Sequence, residues 1–484
     1  MPFNSYIFIL MFLPLTLLGY FILNRFQLYT YSAIFLCGMT MWFYGFYNPK
    51  HLVIILSSLF VNYITALLIN RSKEKNTKKG VLILGIFINI GLIFYFKYYN
   101  FFVENVNVLF RSNYEIHRIA LPLGISYFTF QQIAYLVDSY RGETENYNFL
   151  EYMSFVLFFP QISSGPIVRH KELIPQFRDR EKKKVSYENL SLGIFIFSCG
   201  LVKKVLIADT FGKAASWGFS NIELLSSMDA LLVSLCYTFQ LYFDFSGYSD
   251  MAIGISRMMN IELPQNFNSP YKATSIIDFW DRWHMSLTRF LREYVYFPLG
   301  GSRKGKMRTY LNIMVVFLVS GIWHGANWTF IVWGLLHGAL NCITRVFKDV
   351  WGKIPKIIRW FCTFLTVNFL WIIFRAKNLI EAKLFIFKIF SMDSFSISNE
   401  LKECLIFEEI EVVGKFVSEG VFAHISNLNL LLFLIITLVI VLFGKNSSEV
   451  KYEKTIKRII LVTFFLCWSI ISLSGVSEFL YVDF

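Results

Sequence analysis

His324 directly follows Trp323 in VSGIWHGANWTFIVWGLLHG (319–338), an ionisable ring in an otherwise apolar stretch. An isolated histidine on an apolar helix is ordinarily a packing residue. Here Gly321 and Gly325 flank it, leaving room for another backbone or a substrate, and Asn327 three residues on offers its amide to the same cavity. A neutral imidazole in such a place is a general base that needs no metal: it takes a proton from a hydroxyl while that oxygen attacks an activated acyl carbon. His284 is a second candidate, whereas His51, His117, His170 and His424 give no specific signal. His337 lies about 220° from His324 on a continuous helix and is expected to be structural. There is no GxSxG, HExxH, P-loop or GxGxxG, so serine hydrolysis, zinc catalysis and nucleotide hydrolysis lack their usual parts.

The elements that position such groups carry polar stripes. Gln131, Tyr135 and Asp138 recur at i, i+4 and i+7, and Gln240, Asp244 and Tyr248 at i, i+4 and i+8, each on one face of an apolar helix. Lipid does not accommodate these faces, which leaves a wet cavity or helix-to-helix hydrogen bonding. Between them and His324, NFNSPYKATSIIDFWDRWHMSLTRFLREYVYFPLGGSRKGKMR (266–308) alternates charge with aromatic rings. Ser275 and Asp278 form a capping pattern that starts a helix near Ile276. The segment is too charged to span and too aromatic for a free loop, so an amphipathic or re-entrant helix is expected.

The 484 residues are 55% hydrophobic and 19% aromatic from end to end. That is the texture of an all-α polytopic membrane protein, with about ten to twelve runs near the length of a span. The first run is expected to be a retained span with no cleaved leader. A net charge of +13 does not imply a nucleic-acid partner, because the basic residues sit in short loops at 71–79, 178–184, 303–308 and 451–458, where positive-inside topology puts them. Seven scattered cysteines without a CxxC pair imply neither a disulfide framework nor a metal site. One membrane domain over 1–484 is expected, with its polar core at 121–340, simpler spans at 1–112 and 357–475, and a tail at 476–484.

FDFSGYSDMAIG (243–254), LPQNFNSPYKATSIIDFWDRWHMSLTRFLREYVYFPLGG (263–301) and GIWHGANWTFIVWGLLHG (321–338) together resemble the membrane-bound O-acyltransferase superfamily, in its bacterial alginate O-acetyltransferase type. LPLGISYFTFQQIAYLVDSYRG and FPQISSGPIVRH (159–170) fit the same type. The resemblance implies a helical bundle around a central funnel. At its narrow point stands the essential histidine of the WHG motif, here His324, with the histidine of WxxWHxSL, here His284, as companion. It implies a cytoplasmic acyl thioester, acetyl-CoA, as co-substrate rather than a bound cofactor, a cell-surface polysaccharide as acceptor, and an extracytoplasmic SGNH-type partner. Asp244, Asn327 and Gln240 would line the funnel. Gly300, Gly301 and the basic residues 303–308 would hold CoA phosphates or simply mark the inner face.

D-alanyl transfer to teichoic acid is the neighbouring reading, although the extra segment 376–427 favours the alginate type, and a transporter or flippase also suits polar stripes in a bundle. Charge places 346–358 and 445–458 in the cytoplasm and 376–427 outside. In the tail SEFLYVDF, Tyr481 is either an interfacial anchor or, by resemblance, a phenol that accepts the acyl group before a partner takes it.

Overall fold

The computed structural model describes residues 1–404, 419–447, 449, 455–473 and 480. The tail with Tyr481 lies outside the described residues. Helices account for every regular element and no strand occurs among the described residues, as required of backbone that must satisfy its own hydrogen bonds in lipid. In chain order the helices used below are α1 (Phe8–Arg25), α2 (Tyr29–Gly45), α3 (Lys50–Arg71), α4 (Lys75–Phe110), α5 (Ile125–Arg141), α6 (His170–Arg178), α7 (Tyr187–Ser220), α8 (Ser227–Met258), α9 (Ile276–Trp280), α10 (Met285–Leu291), α11 (Lys306–His324), α12 (Trp328–Val346) and α13 (Lys356–Arg375).

The chain is an all-α, multi-pass membrane protein. Six helices among the described residues, α1, α3, α4, α7, α12 and α13, are long and apolar enough to cross a membrane. Other apolar runs of the sequence form shorter helices, such as Asn429–Phe443 and the 17-residue α2, or, like α8, carry a polar stripe. The amphipathic segment expected after residue 266 begins at Ile276 as its capping residues predict: the Ser275 hydroxyl accepts from the Asp278 amide at 3.1 Å. It then breaks into two short helices, α9 and α10.

The described residues fall into two compact units. Unit 1 holds Met1–Gly200 and Tyr248–Gln265. Its core includes the buried rings of Phe3, Phe8, Phe12, Phe43 and Phe159 in edge and tilted contact. Asn62 of α3 and Asn89 of α4 exchange amide hydrogen bonds of 3.2 and 2.6 Å inside the apolar packing, which satisfies both groups where lipid offers no partner. The polar stripe of α5 is likewise turned inward. Asp138 Oδ2 lies 3.2 Å from Nε2 of His170, the first residue of α6, and His170 Nδ1 lies 3.2 Å from the Tyr147 hydroxyl.

Unit 2 holds Leu201–Gly247 and the described residues from Asn266 to Ser472. α11 and α12 form a closely packed hairpin. Gly321 and Gly334 make this possible: a Cβ on either would stand 2.4 Å from a carbonyl oxygen of the facing helix, Phe330 and Phe317 respectively. α13 is tied to α8 by the Asn368 amide, which donates to the Thr238 hydroxyl at 2.7 Å. Trp371 of α13 donates to the Tyr271 hydroxyl at 3.2 Å.

Candidate active site

His324 is the last residue of α11. Gly325 turns extended, and Asn327 starts α12 by accepting from the Thr329 amide at 3.1 Å and donating to the Lys377 carbonyl at 2.7 Å. The WHGAN stretch is therefore a helix end, a turn and a cap. The asparagine amide expected in the cavity with His324 serves that cap. The helix that would have carried His324 and His337 on opposite faces is broken, and the hairpin brings both rings to Trp333, at centroid distances of 5.2 and 4.8 Å. His337 nonetheless has a structural place, since Trp280 Nε1–H donates to its Nδ1 at 3.1 Å.

His284 lies between α9 and α10 with φ +45° and ψ 52°, a left-handed conformation that a β-carbon disfavours. The neighbouring chain holds it there. Met285 N–H donates to the Asn266 carbonyl at 2.9 Å, Asn268 N–H to the Arg282 carbonyl at 3.0 Å, and the Ser286 hydroxyl to Asn266 Oδ1 at 2.5 Å. Backbone strain of this kind, worth about 1–3 kcal/mol, persists where the surroundings over-determine it. Its effect is to turn the imidazole into the protein. The ring is fully buried and stands edge to face with Phe245 at 4.8 Å and with Trp323 at 5.8 Å. Burial pushes its pKa far below the usual histidine value, so it is neutral at pH 7.

Both motif histidines thus stand against one indole. Trp323 meets His324 at 4.9 Å and His284 at 5.8 Å. Trp333 and Phe374 complete the surroundings of His324, each at 5.2 Å. Such walls exclude water and place aromatic rings around any charge the imidazole acquires. His324 also ends a helix, where the backbone carbonyls favour a positive charge. Two buried imidazoles so arranged can accept a proton from a hydroxyl and return it, as general acid–base transfer to an acyl carbon requires. Among the described residues no three histidine, cysteine or carboxylate side chains converge on a common metal position.

The remaining expected residues take other places. Asp244 accepts from the Lys204 ammonium at 2.6 Å, and Asp209 meets the same ammonium at 2.9 Å. Asp244 is nevertheless the chain neighbour of Phe245, which touches His284. The Gln240 amide lies against Gly212 of α7, 2.7 Å from where a Cβ would stand. Gly300 and Gly301 form a left-handed turn with positive φ, and residues 303–308 beyond it are exposed. Sequence reading passed over Lys204, whose signal is a charge inside the apolar run LVKKVLIA, and over Phe374, which reaches His324 from 50 residues away in the chain. It also passed over His170, the partner of Asp138 in unit 1.

Comparison with known proteins gives the family. The model of the membrane-bound O-acyltransferase family matches residues 92–380. The chain is 46% identical over 413 residues to a peptidoglycan O-acetyltransferase of Helicobacter pylori, covering 78% of each protein. It is 37% identical over 406 residues to a probable alginate O-acetylase of Pseudomonas aeruginosa, covering 82% of this chain and 76% of that one. A teichoic acid D-alanyltransferase of Bacillus subtilis is 31% identical over 245 residues, covering 49% of this chain and 62% of that one. Carrying the WHG and WxxWHxSL histidines inside the matched region, this chain belongs to the membrane-bound O-acyltransferase family and is a membrane-bound acyltransferase.

Proposed function

We propose that this enzyme takes an acetyl group from acetyl-CoA at the cytoplasmic face and delivers it for O-acetylation of a cell-surface polysaccharide at the outer face. The observation that carries the reading is the shared indole: His324 and His284, far apart in sequence, stand against Trp323 in a buried aromatic enclosure. The likeness to acetyltransferases of peptidoglycan and alginate, over most of both chains, favours acetyl transfer over D-alanyl transfer.

His324 is the general base. Its ring takes the proton of the acceptor hydroxyl as the oxygen attacks the thioester carbonyl. The tetrahedral oxyanion collapses, the carbon–sulfur bond breaks, and the thiolate leaves with the proton returned by the imidazolium. His284, neutral and fixed by its backbone, orients the acceptor or polarises the carbonyl. Asp244 and its Lys204 partner hold the α8 segment that presents Phe245 to His284. The catalytic core is 121–340, and an extracytoplasmic SGNH-type protein receives the product. Tyr481 is either the first acceptor or an anchor, and Tyr481→Phe, which deletes only the hydroxyl, separates these roles.

The test is transfer by the full chain in membrane vesicles, supplied from the cytoplasmic side with radiolabelled acetyl-CoA or with a D-alanyl thioester carrier. Label appearing in polymer from acetyl-CoA alone is expected. Label from the D-alanyl carrier alone, or movement of polymer with no dependence on a donor, overturns the reading.

A further inference from the structure

A second site lies in unit 1, built from α3, α5 and the loop that follows α5. There a cavity of about 260 Å3 is lined by Tyr63, Asn70, Arg71, Tyr135, Asn146 and Tyr147, with Ala66 and Leu67 at its apolar side. Its walls are fixed from behind. His170 Nδ1 lies 3.2 Å from the Tyr147 hydroxyl while Asp138 engages His170 Nε2, all three residues being buried. The Tyr63 hydroxyl donates to the Tyr147 carbonyl at 3.3 Å. Arg178 lies 5.1 Å over the Tyr147 ring.

Three polar groups meet in this cavity: the Tyr135 hydroxyl from its buried wall, and the Asn146 amide and the Arg71 guanidinium from its exposed rim. Tyr135 is only 2% exposed as a residue and lines the cavity, so its ring is fixed in the wall. Ligand sites are concave, with an apolar wall and a few convergent polar groups that fix orientation. The charge of the ligand follows from the rim. No carboxylate lines the cavity, and the nearby ones are engaged elsewhere, Glu145 and Glu151 with Arg178 and Glu143 with Lys171. A guanidinium fork joined by a phenol and an amide suits an anion with several oxygens.

We infer that this cavity binds the phosphate group of a phosphorylated ligand, with Arg71 as counter-ion and the Tyr135 hydroxyl and Asn146 amide as hydrogen-bond donors. Arg71 ends a helix long enough to span, beside the basic stretch 73–79 that opens α4, so the cavity lies where a membrane presents phospholipid headgroups and where a soluble phosphate ester also has access. The site shares no residue with the histidine enclosure of unit 2 and does not depend on the acyl-transfer reading.

The full chain is held in maltoside micelles, which carry no phosphate, and its thermal unfolding is followed as inorganic pyrophosphate is titrated. In a second arm the micelles contain phosphatidylglycerol in place of added pyrophosphate. Stabilisation in the first arm identifies a soluble phosphate ester, and stabilisation in the second alone identifies a lipid headgroup. In either case Arg71→Ala and Tyr135→Phe weaken the midpoint response roughly tenfold in ligand concentration, and Arg71→Lys, which keeps the charge and loses the fork, falls between Arg71→Ala and the wild type. A wild-type protein that responds to neither probe, or variants that respond as the wild type does, overturn the inference. Tyr135→Phe retains the ring and its packing, so a loss of response in a protein that still unfolds cooperatively is not a folding defect.

Discussion

His170 in unit 1 and His324 in unit 2 are equally buried, yet they are enclosed in opposite ways. The two ring nitrogens of His170 face oxygens of Asp138 and Tyr147 at 3.2 Å. His324 is surrounded by Trp323, Trp333 and Phe374, with centroids 4.9 to 5.2 Å away. A histidine held between a carboxylate and a phenol is fixed through both ring nitrogens and acts as a girder. One walled by aromatic rings, at a helix end that favours positive charge, is placed as the proposed base requires. Burial of a histidine is therefore no sign of function by itself; the chemistry of the enclosure is what separates the two.

The contrast breaks most sharply on activity. His324→Ala is expected to lower acyl transfer roughly 10²–10⁴-fold at matched amounts of inserted protein, measured as initial rate in vesicles, and His284→Ala to lower it by a smaller but still large factor. His170→Ala in the same assay should leave the rate per folded molecule near that of the wild type; a loss as deep as that of His324→Ala would erase the distinction. Stability tests the polar pairs instead. Lys204→Met removes the buried cation that pairs with Asp244 and Asp209 and should lower unfolding stability by about 3–5 kcal/mol. Asp138→Asn replaces the charged partner of His170 and should remove about 1–3 kcal/mol, read from the same chemical or thermal unfolding curve. The smallest effect sharpens the account of His284. His284→Gly, free of the left-handed penalty at φ +45°, should be about 1 kcal/mol more stable than His284→Ala although both lose the imidazole. Equal stability of the two would remove backbone strain from the description.

Much of this was legible beforehand because membrane helices write themselves in long apolar runs and because the WHG and WxxWHxSL segments keep their residues at fixed spacing. The start of α9 at Ile276 followed from Ser275 and Asp278 alone, since an N-cap is a local interaction. What sequence left open depends on pairing between distant segments. Asp138 was recognisable on its helix face, but its partner His170 stands 32 residues on. Asp244 read equally well as a funnel residue until Lys204, 40 residues upstream, was placed beside it. The turn at Gly325 is hidden by its apolar flanks, so the angle between His324 and His337 is given by sequence only for a continuous helix, whereas two helices bring both to Trp333.

The central claim is that His324 supplies the base, and chemical rescue tests it most directly. His324→Ala in vesicles with labelled acetyl-CoA is assayed with and without added imidazole, alongside His284→Ala as reference. The account predicts a rate lowered by at least about 10² in His324→Ala that imidazole partly restores, with a dependence on the fraction of imidazole in its neutral form. Transfer by His324→Ala at the wild-type rate, with no response to imidazole, would contradict it.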